Sequence, residues 1–166
     1  MPEILWAPWR MTYIERPSTG KGEGDIFVEL PEENDDRRNL ILYRGRGAFV
    51  MMNAFPYTNG HLLIAPYKAT ADMQGLDDDE LLELNQLLAR SIQWLRECFK
   101  PEGFNVGINI GRAAGAGVPN HIHWHVIPRW NGDTNFMTTV GVVRVLPQTL
   151  EESYDRLAEV IRNDVR

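Results

Sequence analysis

Between Asn120 and Trp130 the chain reads NHIHWHVIPRW, and three of its four histidines fall there on alternate positions. A two-residue period is that of a β-strand, in which successive side chains leave by opposite faces. Residues two apart share a face and sit about 6.6 Å from each other. His121, His123 and His125 therefore project together, while Ile122, Trp124 and Val126 form an apolar row on the reverse. Such a strand needs a core or a covering helix against its apolar row. Alternation this regular points to a site rather than to three unrelated histidines, and it leaves two chemistries open. Imidazoles from one strand can ligate zinc. An imidazole titrating near neutrality can also attack phosphorus while a neighbour gives a proton to the leaving oxygen.

The rest of the chain supplies neighbours for that strand. Leu40 to Tyr43, Ala48 to Asn53 and His61 to Ala65 read as short strands, with a turn through Pro56 and Asn59-Gly60 between the last two. Residues 78–99 predict a helix, because Leu81, Leu84, Leu88, Ile92 and Leu95 keep a 3.6-residue period. Asp77 with Glu80 makes its capping box, and Pro101 with Gly103 ends it. Phe104 to Ile110 and Val140 to Leu146 read as further strands. Thr149 and Glu152 predict the cap of a C-terminal helix over 149–163 that buries Leu150, Tyr154, Leu157 and Ile161. Residues 31–39, PEENDDRRN, read as a solvated turn, and 17–24, PSTGKGEG, as a linker behind an N-terminal extension. Neighbouring strands with one long helix inserted, without regular βαβ alternation, predict an α+β fold with an antiparallel sheet of about five strands. At 166 residues the chain fits a single domain, 1–166.

Charge and cysteine content remove several function classes. A net charge of -6 argues against generic binding to nucleic acid or an anionic membrane. Cys98 is the lone cysteine, so neither an intrachain disulfide nor a cysteine-based zinc site can form. No stretch approaches the roughly 20 apolar residues that span a bilayer, and the N-terminus lacks a signal-like apolar run. A cytoplasmic location is the expectation.

Immediately before the histidines stands NIGRAAGAGVPN, Asn109 to Asn120. Gly111, Gly115 and Gly117, separated by alanines, allow backbone N–H groups to come close to an anion, and Arg112 adds charge. Glycines alone signal only a tight turn, and no Walker A lysine follows. Their place beside three imidazoles favours a phosphate site. A metal cage would bring carboxylates, and between Pro101 and Asp133 only Glu102 is available.

His121-Ile-His-Trp-His-Val-Ile127 resembles the signature of the histidine triad (HIT) family, His-φ-His-φ-His-φ-φ with φ apolar. Asn53-Ala-Phe-Pro-Tyr-Thr-Asn-Gly-His61 is similar to the family's second recurring segment, and the resemblance covers roughly residues 25–150. Leu5-Trp-Ala-Pro-Trp-Arg10, Arg112 to Gly117 and Pro128-Arg-Trp130 resemble the bacterial branch related to diadenosine tetraphosphate phosphorylase, as do Asn135-Phe-Met137 and Val145-Leu-Pro-Gln148. The resemblance implies a HIT-like fold, a homodimer, and a purine nucleotide or dinucleoside polyphosphate cleaved at its α-phosphate. It implies His123 as the nucleophile, His125 as the group assisting departure, His121 as a support and His61 as part of their network. Asn53 takes the ribose position, and Asn109 with the loop through Gly111, Arg112, Gly115 and Gly117 takes the phosphates. No cofactor is required; Mg2+ enters at most as a polyphosphate counter-ion. Relatives that bind structural zinc carry a Cys-x-x-Cys pair where this chain has Asp25-Ile-Phe-Val28, so structural zinc is not expected.

Other residues get plainer readings. Trp6 and Trp9 read as packing groups, Phe55 and Tyr57 as neighbours of the ribose site, and Met51 and Met52 as core filler. Lys68, Arg44 and Arg46 are basic groups that could meet a distal phosphate, though exposed basic residues are usually only solvated, and Cys98 has no catalytic role. A metal-dependent hydrolase with histidine ligands, a nucleoside phosphoramidase and a non-catalytic nucleotide binder are the competing functions.

Overall fold

A computed structural model describes residues 24–133 and 146–164. Trp6, Trp9, Asn135-Phe-Met137 and all but Leu146 of the expected strand at Val140 to Leu146 lie outside these residues. Five strands, β1 (Ile41–Arg44), β2 (Ala48–Met52), β3 (Leu62–Pro66), β4 (Gly103–Ile108) and β5 (Trp124–Arg129), form one sheet in the order β1-β2-β3-β5-β4. Every pairing is antiparallel. The α-helices among the described residues are α1 (Ile26–Glu32), α2 (Asp78–Phe99) and α3 (Leu150–Asp164). The α+β antiparallel expectation holds.

Alternation sorts the side chains into two layers. Ala48, Val50 and Met52 of β2, Leu62 and Ile64 of β3, and Ile122, Trp124 and Val126 face the long helices. They meet Leu84, Leu87, Trp94 and Leu95 of α2 and Tyr154, Leu157 and Ile161 of α3. Fully burying a leucine or isoleucine contributes about 1.5–3 kcal/mol, so this layer carries most of the stability. Phe49, Met51, Leu63 and Ala65 face the other way and pack with Ile41 against Phe27 of α1.

The ends of α2 are set by its sequence. Asp77 accepts from Glu80 N at 2.8 Å while Glu80 accepts from Asp77 N at 2.9 Å, both halves of the capping box. At the other end Lys100 takes a left-handed conformation, φ 51°, ahead of Pro101, whereas Gly103 opens β4. The buried stripe of α2 is rotated from the expected one. Leu84, Leu87, Ser91, Trp94, Leu95 and Cys98 are buried, and Leu81, Leu88 and Ile92 flank them. Indole packing draws the helix round towards Trp94, which also donates to Asp164 of α3 at 2.9 Å. Thr149 and Glu152 cap α3 reciprocally, as expected.

Helix α1 is the correction. The sequence reading left 25–30 unassigned and read 31–39 as a turn, but Asp25 N-caps a seven-residue helix that continues through Pro31. It is too short for a periodic signal and is held by packing: Phe27 and Pro31 are buried.

Between β2 and β3 the turn closes on Gly60, φ 76°. A Cβ there would stand 2.8 Å from the Phe99 ring, so both backbone conformation and space demand glycine. The turn is anchored from below by buried Asn59, which accepts from Ser153 Oγ at 3.0 Å and donates to Gln148 at 3.1 Å.

Candidate active site

The three triad histidines share a face, but they do not share a strand. Pairing begins only at Trp124, so His125 alone lies in β5, aligned with Leu63 on one side and Gly107 on the other. His121 and His123 occupy the extended approach, where Ile122 N donates to Thr70 O at 2.7 Å. All three rings are buried, as is His61.

Hydrogen bonds around these rings fix which nitrogen carries each proton. Tyr57 N–H donates to His61 Nδ1 at 3.1 Å, and an amide N–H can only donate. The Asn53 side chain is oriented by accepting from Phe55 N at 2.9 Å, which turns its Nδ2 towards the same His61 nitrogen at 3.3 Å. His61 Nδ1 is thus an acceptor, and Nε2 holds the proton. That Nε2 donates to His125 Nδ1 at 3.0 Å, leaving His125 with its own proton on Nε2, which has no partner among the described residues. His123 is set the opposite way. Its Nδ1 donates to the His121 carbonyl at 2.9 Å, so Nε2 keeps a bare lone pair.

Both rings are also held neutral. Burial pushes His123 below the usual histidine range; a hydrogen bond to the His121 backbone opposes this, and the His121 charge adds to it. Burial, then the charge of His123, brings His125 from 6.5 to about 4. In that window the unfolded chain binds a proton that the folded chain refuses, so stability falls as pH drops from about 6.5 to 4. Below that the group contributes no further loss. Thermal melts across the window are expected to show a falling Tm for the wild type and a shallower slope for His125→Gln. Identical slopes would reject this coupling.

These rings open onto a cleft of about 430 Å³, within the range that holds small ligands. Its wall combines Ile26, Phe27 and Leu30 of α1 with Met51, Leu63 and Val118. Asn53, Asn109, Gly115, Gly117, His123 and His125 meet there, with Phe55 and Tyr57 at the same wall. His121 and His61 stand behind the surface, against Pro66 and His125 respectively. Gly111 and Arg112 are not part of the lining, and Arg112 is exposed. The loop spends several amides on itself: Ala114 and Ala116 donate to Gly111 O, and Gly115 donates to Arg112 O. Of the loop's glycines, Gly115 and Gly117 line the cleft, so the anion cradle expected from the loop narrows to that region.

The single-residue expectations fare differently. Met51 and Met52 are both core, in opposite layers, and Met51 also lines the cleft. Lys68 pairs with Glu80, and Arg44 is spent on Asp36 and Pro31 O. Arg46 is tied through its backbone N–H to Glu83 at 2.6 Å. Cys98 is buried and its thiol is pushed up by desolvation, which leaves it inert. The sequence reading missed Asp25, whose carboxylate lies 2.7 Å from His121 Nδ1, and the apolar side chains of α1. An N-capping Asp ahead of a short apolar run was the available signal.

Metal ligation fits this arrangement poorly. No group of three His, Cys, Asp or Glu residues able to hold an ion occurs among the described residues. The hydrogen bonds say why: His121 and His125 have no lone pair turned to the cleft, and His61 spends both nitrogens behind it. One lone pair, on His123, faces a cleft that also offers one N–H, on His125. That pairing suits attack and departure at a single phosphorus.

Comparison with known proteins finds likeness in sequence and in fold. The model of the HIT domain family matches residues 34–132. A Mycobacterium tuberculosis protein named AP-4-A phosphorylase is 36% identical over 160 residues, 93% of this chain and 82% of its own. A Saccharomyces cerevisiae bis(5'-adenosyl)-triphosphatase is 32% identical over 94 residues, 54% of this chain and 44% of its own. Among solved structures, a Zn-bound histidine triad family protein from Mycobacterium smegmatis superposes with a TM-score of 0.62 at 28% identity. That match covers 76% of this chain and 86% of the other.

Proposed function

The chain belongs to the HIT domain family, and from that membership we propose that it is a dinucleoside polyphosphate phosphorylase working through a nucleotidyl-histidine intermediate. The observation carrying the reading is the pair of opposite tautomers in one cleft, a bare Nε2 on His123 beside an Nε2–H on His125. In the first step His123 Nε2 attacks the α-phosphorus and the P–O bond to the rest of the polyphosphate breaks. His125 donates its Nε2 hydrogen bond to the departing oxygen. In the second step inorganic phosphate attacks the same phosphorus, the N–P bond breaks, and His123 is regenerated. Two displacements restore the original configuration.

The wall fits the rest of a nucleotide. Ile26, Phe27, Leu30, Met51 and Leu63 supply an apolar slot for a base, Asn53 stands where a ribose hydroxyl would be bound, and Asn109 with Gly117 offers neutral donors to phosphate. Phosphate as acceptor is supported by the likeness to the phosphorylase over nearly the whole chain. A homodimer is part of the reading and is supported by β4, an edge strand whose Val106 is 44% exposed.

Incubation with diadenosine tetraphosphate, with and without phosphate, tests the reaction. ADP plus ATP in equal amounts, formed only when phosphate is present, is the expected result. AMP plus ATP would replace the phosphorylase with a hydrolase, and no turnover under either condition would reject the reading.

A further inference from the structure

We propose that Asp25 is a positioning residue for the nucleophile, its carboxylate clamping His121 so that the His121 carbonyl holds His123 in the attacking tautomer. This rests on His123 being the nucleophile. Asp25 Oδ2 lies 2.7 Å from His121 Nδ1, and His121 Nε2 donates to Pro66 O at 2.8 Å. Both nitrogens face acceptors, so the ring is held by a hydrogen bond at each end. The ring is thereby pinned between the start of α1 and the end of β3.

What is pinned along with it is one peptide group. The carbonyl of His121 and the N–H of Ile122 belong to the same plane. The N–H donates to Thr70 O at 2.7 Å, and the carbonyl accepts His123 Nδ1–H at 2.9 Å. Asp25 also acts on the other side of His123. Its Oδ1 accepts from Phe27 N at 2.9 Å and caps α1, and the Phe27 ring lies 4.7 Å from the His123 ring and 5.1 Å from that of His121. One carboxylate therefore holds both the peptide that selects the tautomer and the ring that packs on the imidazole.

Structural zinc does not fit here. Asp25-Ile-Phe-Val28 offers no thiolate, and His121 has no lone pair to give a metal, since each nitrogen faces an acceptor. A direct contact between Asp25 and His121 holds α1 against the triad in this chain.

Two variants of the full chain separate positioning from simple capping. Asp25→Ser keeps a strong N-cap but cannot reach His121. With diadenosine tetraphosphate and phosphate, its kcat is expected to fall about 10- to 100-fold, the size of loss known for groups that orient a metal-ligating histidine, with KM little changed. Asp25→Asn can still accept from Phe27 N while its amide donates to His121 Nδ1, so it is expected to turn over close to the wild-type rate. Ring-nitrogen NMR provides a readout independent of substrate. His121 should show two N–H protons in the wild type and one in Asp25→Ser, where His123 should also populate its second tautomer. Wild-type kcat and an unchanged His123 tautomer in Asp25→Ser, even with a lowered Tm, would overturn the proposal. Failure of the nucleophile assignment looks different: His123→Ala would then keep its turnover whatever residue 25 is.

Discussion

His123→Ala is expected to lose turnover by about 10⁴-fold or more, the loss seen when a covalent nucleophile is removed from an otherwise intact site. Across the described cleft, only His123 Nε2 offers a lone pair at the end of a buried, oriented ring. Its hydrogen-bonded Nδ1 keeps the lone pair on Nε2, and burial keeps the ring unprotonated. None of the other three histidines can take its place. His125 presents a proton, His61 is spent behind it, and His121 lies under Asp25 and Pro66. The fold should survive, because the variant loses one hydrogen bond to the His121 carbonyl, worth about 1 kcal/mol, and leaves a gap beside Phe27. Steady-state product formation and trapping of a labelled nucleotidyl adduct measure the effect. A variant that stays folded and still accumulates adduct at the wild-type rate would dismiss His123 as the attacking group.

His125→Ala is expected to cost about 10²–10⁴-fold in kcat, the usual contribution of a positioned proton donor. The size should depend on the substrate. An analogue with a far more acidic leaving group needs little help from a donor and should be impaired much less. An equal loss on both substrates would remove His125 from the departure step. Its proton affinity adds a second signature. With nothing bound, burial and the charge of His123 bring it to about 4, so it is neutral throughout the physiological range. A bound polyphosphate sets negative charge against the ring, which favours the protonated form and raises that value. A proton donor sets the alkaline limb of a pH profile, so the alkaline limb of kcat, which reports the bound enzyme, should lie well above the value of about 4 that His125 has with nothing bound. The substrate makes its own acid.

Much of this was legible in local sequence patterns. The period of two in NHIHWHV correctly separates an imidazole face from the face that joins Ile122, Trp124 and Val126 to the main core. Residues 78–99 form a helix with the bounds that Asp77, Glu80 and Pro101 set, because capping chemistry acts within four residues. What escaped was non-local. Asp25 and His121 are 96 positions apart, and a lone aspartate before a short apolar run says nothing of a histidine it will meet. The resemblance puts His61 in the network but not the Tyr57 amide that sets its tautomer, and no periodicity states that β3 lies beside β5. Met51 and Met52 look alike in sequence, yet one-residue alternation sends them to opposite layers. The glycine loop misled in the reverse direction, since glycine permits an exposed amide but does not prevent its use inside the turn.

The cleft wall has one more consequence, for how a substrate arrives. No lysine or arginine is among the described residues that line it, and the whole chain carries a net charge of -6. A polyanion approaching this protein is not drawn in by a long-range field, and association belongs in the unsteered range of about 10⁵–10⁶ M⁻¹s⁻¹. On the proposed function, capture begins at short range with the flat, uncharged end of the nucleotide at the wall that Phe27, Leu30 and Leu63 line. The phosphates then follow the base into a place they would not have sought alone.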